Sequence, residues 1–125
     1  VPLMLGGHEA HEQTLEALDG RVLGLAGHAW FETFSVLTRL PSPARRSARE
    51  VIRILEHNFP ESRFLPASAA RALIERLHDV GAAGGAVYDV LVGAAAAAHN
   101  LPLVSRDQRA GDLYRALRVD VELIA

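Results

Sequence analysis

Three acidic side chains in this sequence sit where an acid needs a physical reason. Asp89 is the only charged residue between Asp79 and Arg106, and it stands early in a stretch over 87–98 that is apolar on every side. A helix of that composition is buried all round, so its carboxylate must be paired, neutral or bound to a metal. Stabilisation by the helix dipole in the first turn is the plainer alternative. Glu32 lies between Phe31 and Phe34 and shares a helix face with Ser35 and Arg39 at spacings of three and four. It is either a site residue or a wet-face glutamate paired with Arg39. Asp107 follows the apolar run 101–105 at its carboxyl end, which in a parallel sheet is the edge where ligands bind. It would cap the following helix equally well.

Singly each acid has an ordinary explanation; jointly they describe a cation site. Carboxylates gathered on one sheet edge, without a lysine or a group of histidines among them, suit a hard cation such as Mg²⁺ or Mn²⁺. The segment His8-Glu9-Ala10-His11-Glu12 invites a zinc reading instead. The helical zinc motif needs histidines four apart, and these are three apart on what reads as an exposed first turn.

Strands alternating with helices must position these acids. Residues 21–26 form a short apolar run bounded by glycines and read as a strand. From 28 to 40 the residues Trp30, Phe31, Phe34, Leu37 and Leu40 recur at helical spacings, until Pro41 and Pro43 stop the helix. Residues 47–58 and 68–80 repeat the pattern, with Val51 and Leu55 on one stripe and Leu73 and Leu77 on the other. A helix over 87–99 contains Asp89, followed by a strand at 101–105, a helix at 107–117 and a final strand at 119–124. Weaker signals give a surface helix over 8–18 and a strand at 63–66. The alternation predicts the parallel α/β class. Val1 to Leu5 are apolar from the outset and end at Gly6-Gly7, as a helix would, so they read as the inside of an element that starts upstream.

Composition narrows the function classes. The chain of 125 residues is one domain, and with 50% hydrophobic and 22% charged residues it is globular rather than disordered. A net charge of −2 gives no global attraction for nucleic acid, so any RNA contact must be local. Every basic residue is arginine, which with the abundant alanine suggests the codon bias of a GC-rich bacterial genome. The absence of cysteine removes disulfides, thiolate zinc sites and cysteine nucleophiles, and fits a bacterial cytoplasm. Residues 80–98 are apolar enough to suggest a membrane span, but four glycines and the central Asp89 argue against it.

The C-terminal half resembles the VapC-type PIN domains. Tyr88-Asp89 opens an apolar small-residue helix, and Leu103-Val104-Ser105-Arg106-Asp107 ends a strand in a hydroxyl residue and a second acid eighteen residues on. Trp30-Phe31-Glu32 resembles that family's helix with its glutamate, and Tyr114 to Ile124 resembles its ending. The resemblance implies a three-layer α/β/α domain with a central parallel sheet. It implies catalytic and metal-binding roles for Glu32, Asp89 and Asp107, with Mg²⁺ or Mn²⁺ as cofactor. Arg106, Arg109 and Ser105 are then the residues expected to meet RNA or order water, although both arginines also read as solvated surface. The implied activity is phosphodiester hydrolysis in structured RNA by the toxin of a toxin–antitoxin pair. A VapB-type antitoxin and a second copy of the chain are the implied partners.

One departure is serious. Members of that family begin with a strand ending in an aspartate, and this chain shows no acid to match it, so we expect the strand and its acid to lie upstream of Val1. The competing reading is a degenerate PIN fold that binds an antitoxin-like partner without cutting RNA. A receiver domain fails for want of a lysine. A dinucleotide-binding fold fails because the glycines at 81–85 follow a helix at the wrong spacing.

Overall fold

The computed structural model describes every residue except His8, Asp107, Gln108, Arg109 and Ala125, with the backbone alone at Glu12. In chain order the elements are β1 (Leu3–Leu5), α1 (Glu12–Ala17), β2 (Leu23–Leu25), α2 (His28–Thr38), α3 (Ala48–Asn58), α4 (Ala67–Arg76), α5 (Ala86–Ala98), β3 (Leu103–Ser105), α6 (Gly111–Ala116) and β4 (Val121–Leu123). The strands form one parallel sheet in the order β2-β1-β3-β4. With its helices the sheet makes the parallel α/β class expected from the alternation and the α/β/α arrangement that the resemblance implies.

The centre of the sheet departs from the sequence expectation. Leu3, Met4 and Leu5 are fully buried and pair with β2 on one side and β3 on the other, with Leu5 opposite both Leu25 and Val104. Leu3–Leu5 therefore lies between β2 and β3 in the sheet of the described residues, and the stretch before Gly6-Gly7 is a strand rather than a helix end. Three apolar residues carry no usable period. Partners far along the chain decide their conformation, and a strand buried on both faces reads as an unbroken apolar run.

The helices follow their apolar stripes. Val51 and Leu55 bury one face of α3, and Leu73 anchors α4. The α3 start is fixed by a reciprocal cap: the Glu50 N–H donates to Ser47 Oγ at 3.2 Å, and the Ser47 N–H donates to Glu50 Oε1 at 3.1 Å. That backbone donor holds the Glu50 carboxyl below its ordinary range. Gly93 lets α6 approach α5, since a Cβ there would lie 2.9 Å from Leu117 Cδ1 and 3.1 Å from Tyr114 Cδ1. Among the described residues, no helix is long and apolar enough to cross a membrane.

The expected strand at 63–66 shrinks to a single bridge between Ala26 and Arg63. Its neighbour Ser62 accepts the Leu25 N–H with its side chain at 2.9 Å, which takes a donor that a regular ladder would use. The segment still covers the outer edge of β2. The Glu61 N–H donates to the Leu23 carbonyl at 3.2 Å and the Arg63 N–H to that of Leu25 at 3.1 Å.

Candidate active site

Strand order locates the site before any side chain is considered. From β1 the chain crosses to β2 on one side, then returns to β3 on the other, so the order reverses between β1 and β3. Carboxyl ends that diverge in this way leave a crevice. A cleft of about 510 Å³ lies there, lined by Gly6, Gly7 and Glu9 after β1, Arg106 after β3, Glu32 from α2, Gly85, Tyr88, Asp89 and Val92 around the α5 start, and Tyr114 from α6.

Glu32 reaches the cleft because β2 feeds directly into α2. Gly27 makes the turn with φ 53° and ψ −111°, a conformation only glycine adopts readily. A Cβ there would also stand 3.2 Å from the Ala95 Cβ, so the turn lets α2 start against α5. One turn into α2, the Glu32 side chain is 38% exposed. Its neighbour is His28, with Nε2 at 3.9 Å from Oε1, rather than the Arg39 considered from sequence. Asp89 is half-buried in the first turn of α5. The helix around it is less enclosed than its composition suggests, because Tyr88 is 51% exposed.

Glu32 and Asp89 therefore come together. Asp107 and Arg109 fall outside the described residues. Ser105 is buried at the β3 end, its carbonyl accepting the Ile124 N–H at 3.0 Å. Arg106 lines the cleft and is anchored there through both its side chain and its backbone. Its Nη1 donates to Thr14 Oγ1 at 2.9 Å, and its backbone N–H donates to Glu9 Oε1 at 3.3 Å.

Glu9 is the acid that sequence reasoning missed. Placed on the exposed face of a surface helix by that reasoning, it is in fact buried in the turn between β1 and α1. Its N–H donates to the Gly6 carbonyl at 3.3 Å, and its carbonyl accepts from His11 at 2.9 Å. That turn delays α1 to Glu12. Reading Val1 to Leu5 as a strand would have placed Glu9 four residues past its carboxyl end, on the ligand edge. The glycines before it bring the strand end against the acids: a Cβ on Gly6 would lie 3.1 Å from Glu9 Oε2, and one on Gly7 3.5 Å from Glu32 Cβ.

The donor set is all oxygen, which fits a hard cation better than a soft one. Among the described residues no group of three such side chains stands close enough to hold a metal ion by itself. A cation bound between Glu32 and Asp89 would complete its shell from water, phosphate or further acids.

Comparison with known proteins places these features in a family. The sequence model of the PIN domain matches residues 2–116. Ribonuclease VapC27 of Mycobacterium tuberculosis is 38% identical over 125 residues, covering all of this chain and 91% of that protein. Ribonuclease VapC40 of the same organism is 42% identical over 119 residues, covering 94% of this chain and 87% of that one. The fold is similar to that in the crystal structure of VapBC2 from Rickettsia felis bound to a DNA fragment from their promoter, with TM-score 0.72 and 15% identity over the whole of both chains. VapBC-5 from Mycobacterium tuberculosis, a member of the VapBC family of toxin-antitoxin systems, gives 0.61 at 21% identity, covering 98% of this chain and 97% of that one.

Proposed function

This chain belongs to the PIN-domain family, in its VapC-type branch, and from that premise we propose that it is the toxin of a type II toxin–antitoxin pair, an endoribonuclease that uses Mg²⁺ or Mn²⁺ to hydrolyse phosphodiester bonds in structured RNA. The observation that carries this reading is the meeting of Glu32 and Asp89 in one cleft at the β1/β3 switch point. Relatives named as ribonucleases support it over nearly the full chain.

The roles divide by position. Glu32 and Asp89 supply carboxylate oxygens, and Asp107 supplies a further one from the segment after β3. When bound, Mg²⁺ or Mn²⁺ supplies water activation and neutralises charge on the scissile phosphate. Glu9 holds the Arg106 backbone, and Thr14 holds its guanidinium, so that arginine is kept at the cleft wall to meet a phosphate. Arg109, three residues further along the sequence, is assigned a second phosphate contact in this reading. Ser105, being buried, acts through the geometry of the strand end rather than at the surface.

The partner is a VapB-type antitoxin, supported by structural neighbours that are VapBC assemblies. A mostly apolar groove between α1, α2 and α3, with Leu15, Val36, Leu37 and Ile54 among its lining residues, gives such a partner a surface to cover. Self-association is a further part of this reading, as is a cytoplasmic site of action.

A second reading has its own support. The described acids form no three-ligand group. A fold of this kind that binds its antitoxin without cutting RNA would show that feature. Incubating the purified chain with a panel of structured RNAs, with Mg²⁺, Mn²⁺ or EDTA, separates the two. EDTA-sensitive cleavage that Asp89→Asn abolishes is the expected result. Intact RNA throughout, with antitoxin binding retained, favours the second reading.

A further inference from the structure

Tyr88 is an anomaly on its own helix. Val90, Val92, Gly93, Ala95 and Ala96 are buried, yet the tyrosine beside Asp89 leaves half its surface in solvent and forms part of the cleft wall. Its ring is not loose. It stacks on the His28 imidazole with centroids 4.9 Å apart and planes 13° from parallel, which ties the α5 start to the α2 start. His28 in turn precedes Glu32 by one helical turn, and Phe31 on the same face is 59% exposed against Phe64. The acids of the cleft are thus bordered by flat aromatic surface held in a fixed orientation.

Electrostatics gives that surface a use. A chain of net charge −2 attracts a polyanion weakly, and the cleft itself concentrates carboxylates. Contacts to phosphate alone give an affinity that collapses with salt, so substrate retention here needs an uncharged contribution. Base stacking on an aromatic ring supplies one, and only an unpaired base presents its face. An orientation fixed in advance reduces the rotamer freedom lost on stacking.

We propose that Tyr88, backed by His28, is a stacking platform for one unpaired base of the RNA beside the acid cleft, and that it makes the enzyme select unpaired over paired segments. This inference rests on the ribonuclease reading above. The test uses the full chain and a hairpin RNA with 2-aminopurine placed in turn at each loop position, in EDTA so that binding is read without cleavage. Expected are quenched emission at one loop position and an affinity that falls about ten-fold in Tyr88→Leu but holds in Tyr88→Phe. The leucine keeps apolar bulk without a π face, and a thermal melt confirms that each variant is folded. The ten-fold loss should persist as salt is raised. A blunt duplex of the stem sequence should compete poorly. Wild-type chain that cleaves RNA in Mg²⁺ while Tyr88→Leu matches it in binding and quenching overturns this inference alone. Wild-type chain that neither binds nor cleaves any RNA overturns the proposed function, and the platform with it.

Discussion

Gly24, in the middle of β2, offers the sharpest test of how the edge of the sheet is built. A Cβ at this position would lie 2.2 Å from the Glu61 carbonyl oxygen, 2.4 Å from its carbon and 2.7 Å from Met4 Cε. The methionine tip swings aside at little cost, but the carbonyl is backbone. Restoring ordinary contact needs a shift of about 1 Å in the 61–63 segment, which strains or breaks the Glu61–Leu23 and Arg63–Leu25 hydrogen bonds. Overpacking costs about 1–3 kcal/mol, and each weakened hydrogen bond adds about 1 kcal/mol. The reduced entropy of the unfolded chain returns about 0.4–1 kcal/mol. Gly24→Ala should therefore destabilise the domain by roughly 3 kcal/mol, or about 10 °C in melting temperature for a chain of this size. Urea unfolding followed by far-UV circular dichroism measures it, with Gly85→Ala as control. Gly85 has φ −61°, and a methyl group added there would meet nothing within 4 Å, so that change should be neutral or slightly stabilising. A Gly24→Ala midpoint equal to wild type, or a Gly85→Ala loss of the same size, would refute the packing argument.

Three other outcomes follow from the same geometry. Glu32→Gln and Asp89→Asn should each lower RNA cleavage by about 100-fold or more while leaving the thermal midpoint near wild type, read in a single-turnover assay; undiminished rates would remove these acids from the site. Thr14→Val keeps the buried volume but takes from Arg106 Nη1 its 2.9 Å acceptor, so a loss of about 1–3 kcal/mol is expected in urea titration, with weaker RNA binding alongside. Glu50 binds its proton less readily in the folded chain, so the stability it contributes is present above its ordinary value of 4.5 and lost as pH falls through the lowered one. Melting curves between pH 6 and pH 3 should show that loss in wild type and a smaller one in Glu50→Gln, whereas parallel pH profiles would count against the cap.

What was legible in the sequence is what local pattern decides. The helices α2, α3 and α5 follow from their spacing of apolar residues, and Asp89 stands out because nothing else charged lies near it in the chain. The parallel class follows from alternation alone. What was not legible depends on distant partners. Leu3–Leu5 is a strand because β2 and β3 flank it, and three residues cannot announce that themselves. The misplacement of Glu9 follows from the same error, since its burial is a consequence of lying just past that strand. The pairing of Glu32 with His28 instead of Arg39 turned on which end of α2 the cleft occupies. The expected strand at 63–66 failed for a local reason: Ser62 answers a backbone donor with its hydroxyl and interrupts the ladder.

The covering of β2 by residues 61–63 also leaves the described sheet with one edge, rather than two, for a further strand. Hydrogen-bonding valence at a sheet lies only at its two outer strands, and here one is occupied by the chain's own backbone. The other, β4, has no strand beyond it among the described residues, and its Leu123 is 54% exposed. A sheet with one open side can join another copy once, edge to edge about a two-fold axis, and the joined pair then has no open side left. At the edges described here, growth by strand addition would stop at such a pair, unlike in a sheet open on both sides.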